Sequence, residues 1–190
     1  MAQLNVPNDV TVTAFFTEYL PGQFAELIAG KDLSSMAGKE FTLQFAIDDQ
    51  CFCLKIKDGQ TLNVIQGGVD KPMLTMSMTE KDWREAVTGK LQGVIDRFID
   101  PGQAADPKRF TALASTKGTL NLALKRHDGA NLPITMVFNG EPLPVVTLNL
   151  DLPDWVSIQN GETTGQALFM NGKLRFTGDM VLLMKLQTMI

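Results

Sequence analysis

Residues 72–93 read PMLTMSMTEKDWREAVTGKLQG, and the order of side chains in this stretch predicts a strand followed directly by a helix. Leu74, Met76 and Met78 alternate with polar residues, as they would in a strand that buries one face. Thr79 precedes Asp82 by three residues, a spacing typical of a helix N-terminus. The pattern therefore predicts a helix through Trp83 that begins where the strand ends.

The same order of residues returns 72 positions later, in residues 144–165, PVVTLNLDLPDWVSIQNGETTG. Identical residues at this offset are Pro72 and Pro144, Thr75 and Thr147, Asp82 and Asp154, Trp83 and Trp155, Gly89 and Gly161, and Gly93 and Gly165. The chain has two tryptophans, and they occupy one equivalent position. Duplication of a strand-to-helix unit accounts for this pattern better than coincidence.

The surrounding sequence predicts more strands and a pair of opening helices. Alternating apolar residues predict strands at 41–47, 52–56, 62–65, 120–124, 134–138 and 146–150, and a short one at 174–176. Apolar residues at helical spacing predict a helix over 12–20 that Pro21 interrupts and Phe24 restarts. A further helix is expected around 155–170, before the apolar tail 180–186. Together these elements predict an α+β fold: a mainly antiparallel twisted sheet with helices packed on one face.

Two halves are predicted within one globular unit. Residues 1–100 hold the opening helices, strands and helices, and residues 109–190 hold strands, a helix, a closing strand and the tail. Residues 101–108, which contain two prolines and a Pro-Gly pair, are the expected linker.

Composition excludes several classes of protein. The 190 residues are 44% hydrophobic and 20% charged with a formal net charge of −4, as in an ordinary globular protein. The longest apolar run, 180–184, is far shorter than the roughly 20 residues of a membrane span. The sequence lacks the basic stripe of a nucleic-acid-binding protein and the basic, apolar start of a secretory signal. We therefore expect a cytoplasmic protein that binds no nucleic acid.

Residues for catalysis or metal binding are scarce. The single histidine, His127, lies in a polar stretch that predicts a turn, and no phosphate-binding loop or nucleophile motif occurs. Cys51 and Cys53 would share one strand face, but zinc needs four nitrogen or sulfur ligands, so two free thiols are the favoured interpretation. We therefore predict no enzyme, no cofactor and no metal site.

Three stretches resemble the sterol carrier protein 2 family. Residues 15–47, FFTEYLPGQFAELIAGKDLSSMAGKEFTLQFAI, are similar to its opening helices and first strand. Residues 68–91, GVDKPMLTMSMTEKDWREAVTGKL, are similar to its Thr-Φ-x-Met…Asp-Φ segment (Φ, bulky apolar) and the Thr-Gly-Lys-Leu that follows. Residues 167–186, ALFMNGKLRFTGDMVLLMKL, resemble its closing signature and are the most specific of the three.

This chain departs from the single domain of the family. The front half lacks the closing strand and tail, and the back half lacks the opening helices. Either the two halves complete each other around a shared core as a tandem pseudo-dimer, which we favour, or one domain has an enlarged sheet.

The resemblance implies a five-strand-type sheet, an apolar tunnel and a non-catalytic lipid carrier. The expected ligand is a sterol, fatty acid, acyl-CoA or isoprenoid lipid. The expected contact with membranes is at most transient, and a homodimer is a possible assembly. Predicted ligand contacts are Phe15, Tyr19, Phe24, Met76, Trp83, Trp155, Phe169, Met170, Met180, Leu183 and Met184. For Phe15 and Tyr19 ordinary core packing is the favoured alternative, and for the methionines it is an equal one. The alternative function is an interaction or dimerisation module that assists a lipid-modifying enzyme and holds no ligand of its own.

Overall fold

Eight strands build one continuous sheet. The computed structural model describes residues 6–91, 93, 94 and 106–187. Its strands are β1 (Glu40–Ile47), β2 (Gln50–Lys57), β3 (Thr61–Gln66), β4 (Leu74–Met78), β5 (Gly118–Lys125), β6 (Asn131–Phe138), β7 (Val145–Asp151) and β8 (Arg175–Gly178). They lie side by side in the order β3-β2-β1-β4-β6-β5-β7-β8.

Most neighbouring strands run antiparallel, as predicted. Five pairs are antiparallel, and two, β1 with β4 and β5 with β7, are parallel. Each parallel pair brings a strand beside the first strand of a preceding hairpin. The prediction of a mainly antiparallel sheet in an α+β fold is confirmed.

The two parts of the sheet have the same internal order. In the first part β1 lies between β2 and β4, and in the second β5 lies between β6 and β7, with matching strand directions. An antiparallel strand then follows each unit: β6 pairs with β4, and β8 pairs with β7. The two parts of the sheet join through the pairing of β4 with β6. The result is one sheet of eight strands instead of the five-strand type that the resemblance implies. This symmetry agrees with a duplication, which stays a prediction, as does the division into two halves.

Helices precede and follow the strands in both parts of the sheet. They are α1 (Val12–Ala14), a π-helical segment (Phe15–Tyr19), α2 (Leu20–Ile28), a 3-10 turn (Ser34–Met36), α3 (Glu80–Val87), α4 (Pro107–Ser115), α5 (Leu152–Gln159), α6 (Gly165–Met170) and α7 (Met180–Leu186). The helix expected around 155–170 is in fact two helices, α5 and α6. No helix among these described residues is long and apolar enough to cross a bilayer.

Two boundaries differ from the sequence-based expectation. Pro21 does not interrupt the first helix, because it lies at the first turn of α2, where a proline is tolerated. Pro107 and Lys108 belong to α4 and not to a linker, since the Asp106 side chain accepts hydrogen bonds from the Lys108 and Arg109 amides and caps the helix. Residues 101–105 of the expected linker lie outside the described residues.

The core lies on one face of the sheet. Phe41, Leu43, Phe45 and Ile47 of β1 are buried, whereas the residues between them are partly exposed. The same face continues across the sheet in rows of paired apolar residues, such as Phe52, Phe45, Met76, Met136, Leu120 and Val146. Helix side chains join the strand residues in one apolar cluster, so the expectation of helices packed on one face is confirmed.

Candidate functional site

Aromatic rings fill the space between the first helical stretch and the sheet. Phe15 meets Phe16 edge to face, with ring centroids 5.0 Å apart, and meets Trp83 at 5.3 Å. The Phe16 ring also stacks on Phe52 at 4.9 Å and lies 5.1 Å from Phe45. All five side chains are fully buried. Two predicted ligand contacts, Phe15 and Trp83, are thus in direct mutual contact, and the same cluster contains three rings that were not predicted as contacts, Phe16, Phe45 and Phe52.

The two tryptophans occupy the same position in equivalent helices. Trp83 is the fourth residue of α3 and Trp155 the fourth residue of α5, and each helix is eight residues long. In both cases the helix follows a strand that pairs in parallel with the first strand of a hairpin. Gly89 and Gly161, just past the two helices, both have positive φ, at 80° and 73°. Such a conformation favours glycine at a helix end.

Both indole nitrogens are buried without a hydrogen-bond partner. Trp83 and Trp155 are 0% and 1% exposed, and neither Nε1 has an acceptor. Glu85 Oε2 is also buried without a hydrogen bond, but it lies 2.7 Å from the Arg126 guanidinium and so has an ion-pair partner. Leaving a buried N–H without an acceptor costs about 1–3 kcal/mol. Each indole can therefore gain energy by donating to an oxygen brought into the core.

Four charged side chains form an ion-pair network beside α3. Arg126 lies 3.4 Å from Asp82, 2.7 Å from Glu85 and 3.6 Å from Asp128. The arginine side chain is 16% exposed, so these carboxylates hold a mostly buried cation. The network joins α3 to the turn after β5, and the Thr79 hydroxyl holds Asp82 from the other side through a hydrogen bond of 2.8 Å.

A polar cleft of about 370 Å³ lies beside this network. Its walls are formed by Asn8, Glu80, Lys81, Arg84, Glu85, Thr88 and Lys90. Three cations and two carboxylates line the cleft, so it differs in chemistry from the apolar tunnel that the resemblance implies. The tunnel stays a prediction.

The remaining predicted contacts divide between the core and the surface. Phe24, Met76, Trp155 and Leu183 are buried, and Tyr19 is partly buried against the same apolar cluster. Phe169, Met170, Met180 and Met184 are instead exposed, on α6 and α7. Val181, which was not predicted, is 65% exposed next to Met180. The unbroken apolar run 180–184 is the signal that could have identified it, since one buried helix face cannot hold five consecutive residues.

The two thiols lie on β2, and the histidine lies in the turn after β5, between Arg126 and Asp128. Burial raises the pKa of the Cys53 thiol to about 11, and burial also raises the pKa of Cys51. His127 is exposed in the turn between β5 and β6. Within the described ranges, no group of three or more His, Cys, Asp or Glu side chains could hold a metal ion.

Comparison with known proteins gives one family. The model of the SCP-2 sterol transfer family matches residues 101–190, so the resemblance to sterol carrier protein 2 is confirmed over that segment. No curated protein matches the chain.

Several solved structures are similar to the chain. Sterol carrier protein 2 from Yarrowia lipolytica, in its apo form, is 20% identical, covering 50% of this chain and 91% of that one, with a TM-score of 0.37. Sterol carrier protein domain 2 of Helicoverpa armigera is 21% identical, covering 54% and 83%, with a TM-score of 0.39. Sterol carrier protein 2 like 2 from Aedes aegypti is 13% identical, covering 94% and 99%, with a TM-score of 0.24.

Proposed function

We propose that this protein is a non-catalytic carrier of an apolar ligand whose head bears an oxygen atom: a sterol, fatty acid, acyl-CoA or isoprenoid lipid. The match of residues 101–190 to a sterol transfer family supports lipid binding in general. The observation that carries the finer proposal is the buried indole N–H of Trp155, which lies in that segment and has no acceptor. A lipid oxygen would supply the acceptor, and the apolar core would take the hydrocarbon.

The ligand is proposed to bind between α5, α7 and the sheet. Helix α5, which carries Trp155, contacts β7 and β5, and α7 contacts β7 as well. Leu182 and Leu183 of α7 face inward and are 2% and 9% exposed. An outward displacement of α7, a helix of seven residues, would open space for a ligand above β7.

Apolar burial is sufficient to drive such binding. A sixteen-carbon chain gains about 13 kcal/mol gross at about 0.8 kcal/mol per methylene. Association and ordering cost on the order of 4–15 kcal/mol, so affinities range from negligible to micromolar or better. The indole hydrogen bond adds about 1 kcal/mol and selects for a ligand with an oxygen atom over a pure hydrocarbon.

We propose a carrier role without catalysis because the titratable groups near the core are held in ion pairs or are exposed to solvent. Asp82 and Glu85, the carboxylates on the same helix as Trp83, are held by Arg126. The one histidine of the chain lies exposed in a turn. Neither arrangement resembles a general acid or base directed into an apolar core. We further propose a cytoplasmic location, because Cys51 and Cys53 are free thiols, as is usual for proteins of a reducing compartment.

A second function is supported by a different observation. The rings of Phe15, Phe16 and Trp83 fill the front half of the core, while several large apolar side chains of α6 and α7 are exposed. A filled interior with an exposed apolar surface fits a docking or homodimerisation module that assists a lipid-modifying enzyme. Such a module would hold no lipid of its own.

Native mass spectrometry of the purified chain tests the two functions against each other. The carrier proposal predicts that the purified protein contains a bound lipid. It also predicts that a fluorescent fatty acid binds and is displaced saturably by at least one of four competitors: a sterol, a fatty acid, an acyl-CoA or an isoprenoid quinone. Trp155→Phe, which keeps an aromatic ring and removes the donor, should weaken that displacement. Absence of binding across all four classes would contradict the carrier proposal and leave the docking module.

A further inference from the structure

The indole N–H of Trp83 has no part in the ligand site proposed above. Trp83 is 0% exposed, and its Nε1 has no acceptor among the described residues, as in the case of Trp155. A buried donor without an acceptor costs free energy, which a phenylalanine at the same position would avoid. Trp83 lies on α3, outside residues 101–190, which match the sterol transfer family. Its N–H therefore indicates a second position where a ligand oxygen can bind.

The Phe16 ring lies at the centre of the aromatic cluster around Trp83. Its centroid is 4.9–5.1 Å from the rings of Phe15, Phe45 and Phe52 and 6.3 Å from Trp83. All five side chains are 0% exposed. If the Phe16 ring moved out, the other four rings would border an apolar space of about the size of one ring. A side chain of the protein thus fills the place beside the unpaired indole nitrogen.

Phe16 belongs to a segment whose backbone is able to change its register. Residues Phe15–Tyr19 are π-helical, since the Leu20 amide donates to the Phe15 carbonyl instead of the Phe16 carbonyl. A π-helical turn between two α-helices takes up one extra residue. Its closure to a regular α-helix would rotate the residues before it by about 100° relative to α2. Such a rotation would withdraw Phe15 and Phe16 from Trp83.

Two methionines continue the apolar row next to the aromatic cluster. Met76 of β4 lies beside Phe45 of β1, and Met136 of β6 lies beside Met76. Both methionines are buried, at 0% and 2% exposure. An unbranched thioether side chain repacks more readily than a branched or aromatic one. This row therefore has the side chains best suited to make room for a hydrocarbon chain.

We propose that the front half holds a second lipid site, so that one chain binds two ligands. The proposal rests on the carrier function proposed above and uses the same recognition at a different place. Trp83 Nε1 donates to the oxygen of the lipid, the hydrocarbon takes the place of the Phe16 ring, and Met76 and Met136 repack around the rest of it. Phe15 and Phe16 close this site until the π-helical segment changes register.

The two indole resonances of protein labelled with ¹⁵N-tryptophan report the two sites separately. Titration with dodecanoic acid should move both resonances downfield, and native mass spectrometry should find two molecules of the acid per chain. Phe16→Ala removes the ring that closes the front site. It should lower the acid concentration that half-shifts the Trp83 resonance by at least about fivefold, because the site no longer has to open. The titration of Trp155 should stay unchanged.

A matched substitution elsewhere in the core gives the control. Phe138→Ala removes a similarly buried ring, 3% exposed on β6, and should leave the Trp83 titration unchanged. If Phe16→Ala does not fold by circular dichroism, Phe16→Leu replaces it, with the same direction expected.

Three results would overturn the second site: one bound acid per chain, a Trp83 resonance that stays in place, or a Phe16 variant that titrates like wild type. A chain in which Trp155 alone responds contradicts the second site and leaves the carrier proposal intact. A chain that binds no lipid and in which neither indole responds contradicts both.

Discussion

Trp83 and Trp155 lie 72 residues apart in the chain, yet each is the fourth residue of an eight-residue helix, and each buries its indole nitrogen without an acceptor. One such nitrogen would be an isolated energetic cost. Two at equivalent positions indicate that the strand-to-helix unit places a hydrogen-bond donor inside the apolar core. We propose that the second of them, in the segment that matches the sterol transfer family, is the recognition point for a lipid oxygen.

Replacing Trp155 by phenylalanine should weaken binding of an oxygen-bearing lipid by about fivefold, the equivalent of one neutral hydrogen bond of about 1 kcal/mol. A pyrene-labelled fatty acid measures this loss by fluorescence titration. The matched pyrene-labelled alkane, which has no acceptor, should bind both proteins equally. Trp83→Phe is the companion variant, and its effect reports whether the front half also binds. Equal loss for acid and alkane would mean that the ring matters only for packing.

Arg126→Met should lower the free energy of unfolding by about 3–5 kcal/mol, because it leaves the mostly buried carboxylates of Asp82 and Glu85 without their cation. Urea unfolding followed by circular dichroism gives the value. Lys125→Met removes the neighbouring, exposed cation and should change stability by no more than about 0.5 kcal/mol. Similar effects of the two substitutions would show that the network contributes nothing specific.

Gly178→Ala should destabilise the β7–β8 edge and the start of α7. A Cβ at this position would clash with the Val145 carbonyl oxygen, and φ is +102°. Gly129 also has positive φ, +83°, but a Cβ there would meet nothing within 4 Å. The alanine variant at 129 therefore carries the backbone strain alone, about 1 kcal/mol, and the variant at 178 should cost clearly more. Thermal unfolding compares the two, and equal costs would contradict the close approach of β7 and β8.

Alkaline pH should destabilise the protein through Cys53. Burial raises the pKa of this thiol from 9.0 to about 11 in the folded protein. Between these values the unfolded chain has released the thiol proton and the folded chain has kept it, so stability falls as pH rises through that window. Urea unfolding at increasing pH should show this decline, and Cys53→Ala should make it shallower. An unchanged slope in the variant would show that another group causes the decline.

Sequence patterns predict the faces of the strands well because alternation reports burial directly. Phe41, Leu43 and Phe45 are buried as their parity predicts. Which strands become neighbours is a different question, since alternation is silent about partners. The pairing of β4 with β6 brings Met76 beside Met136, 60 residues apart, and that junction makes one eight-stranded sheet from two similar parts.

Local sequence pattern likewise predicts some features of the candidate site and not others. The equivalence of Trp83 and Trp155 is visible at the offset of 72 residues, but the unpaired state of their nitrogens depends on where acceptors lie in space. The apolar character of Met180 and Met184 suggests ligand contacts, yet both are exposed on the outer face of α7. A run of apolar residues cannot indicate which of its members face out.

The central claim, that a lipid oxygen accepts the buried indole proton of Trp155, is tested most directly by ¹H–¹⁵N correlation spectra of protein labelled with ¹⁵N-tryptophan. The two indole resonances are assigned with Trp83→Phe and Trp155→Phe. We predict that a fatty acid or sterol moves the Trp155 indole proton downfield, as hydrogen bonding requires, and that the matching hydrocarbon does not. A ligand that binds while the Trp155 resonance stays in place, or the absence of any bound lipid, would contradict it.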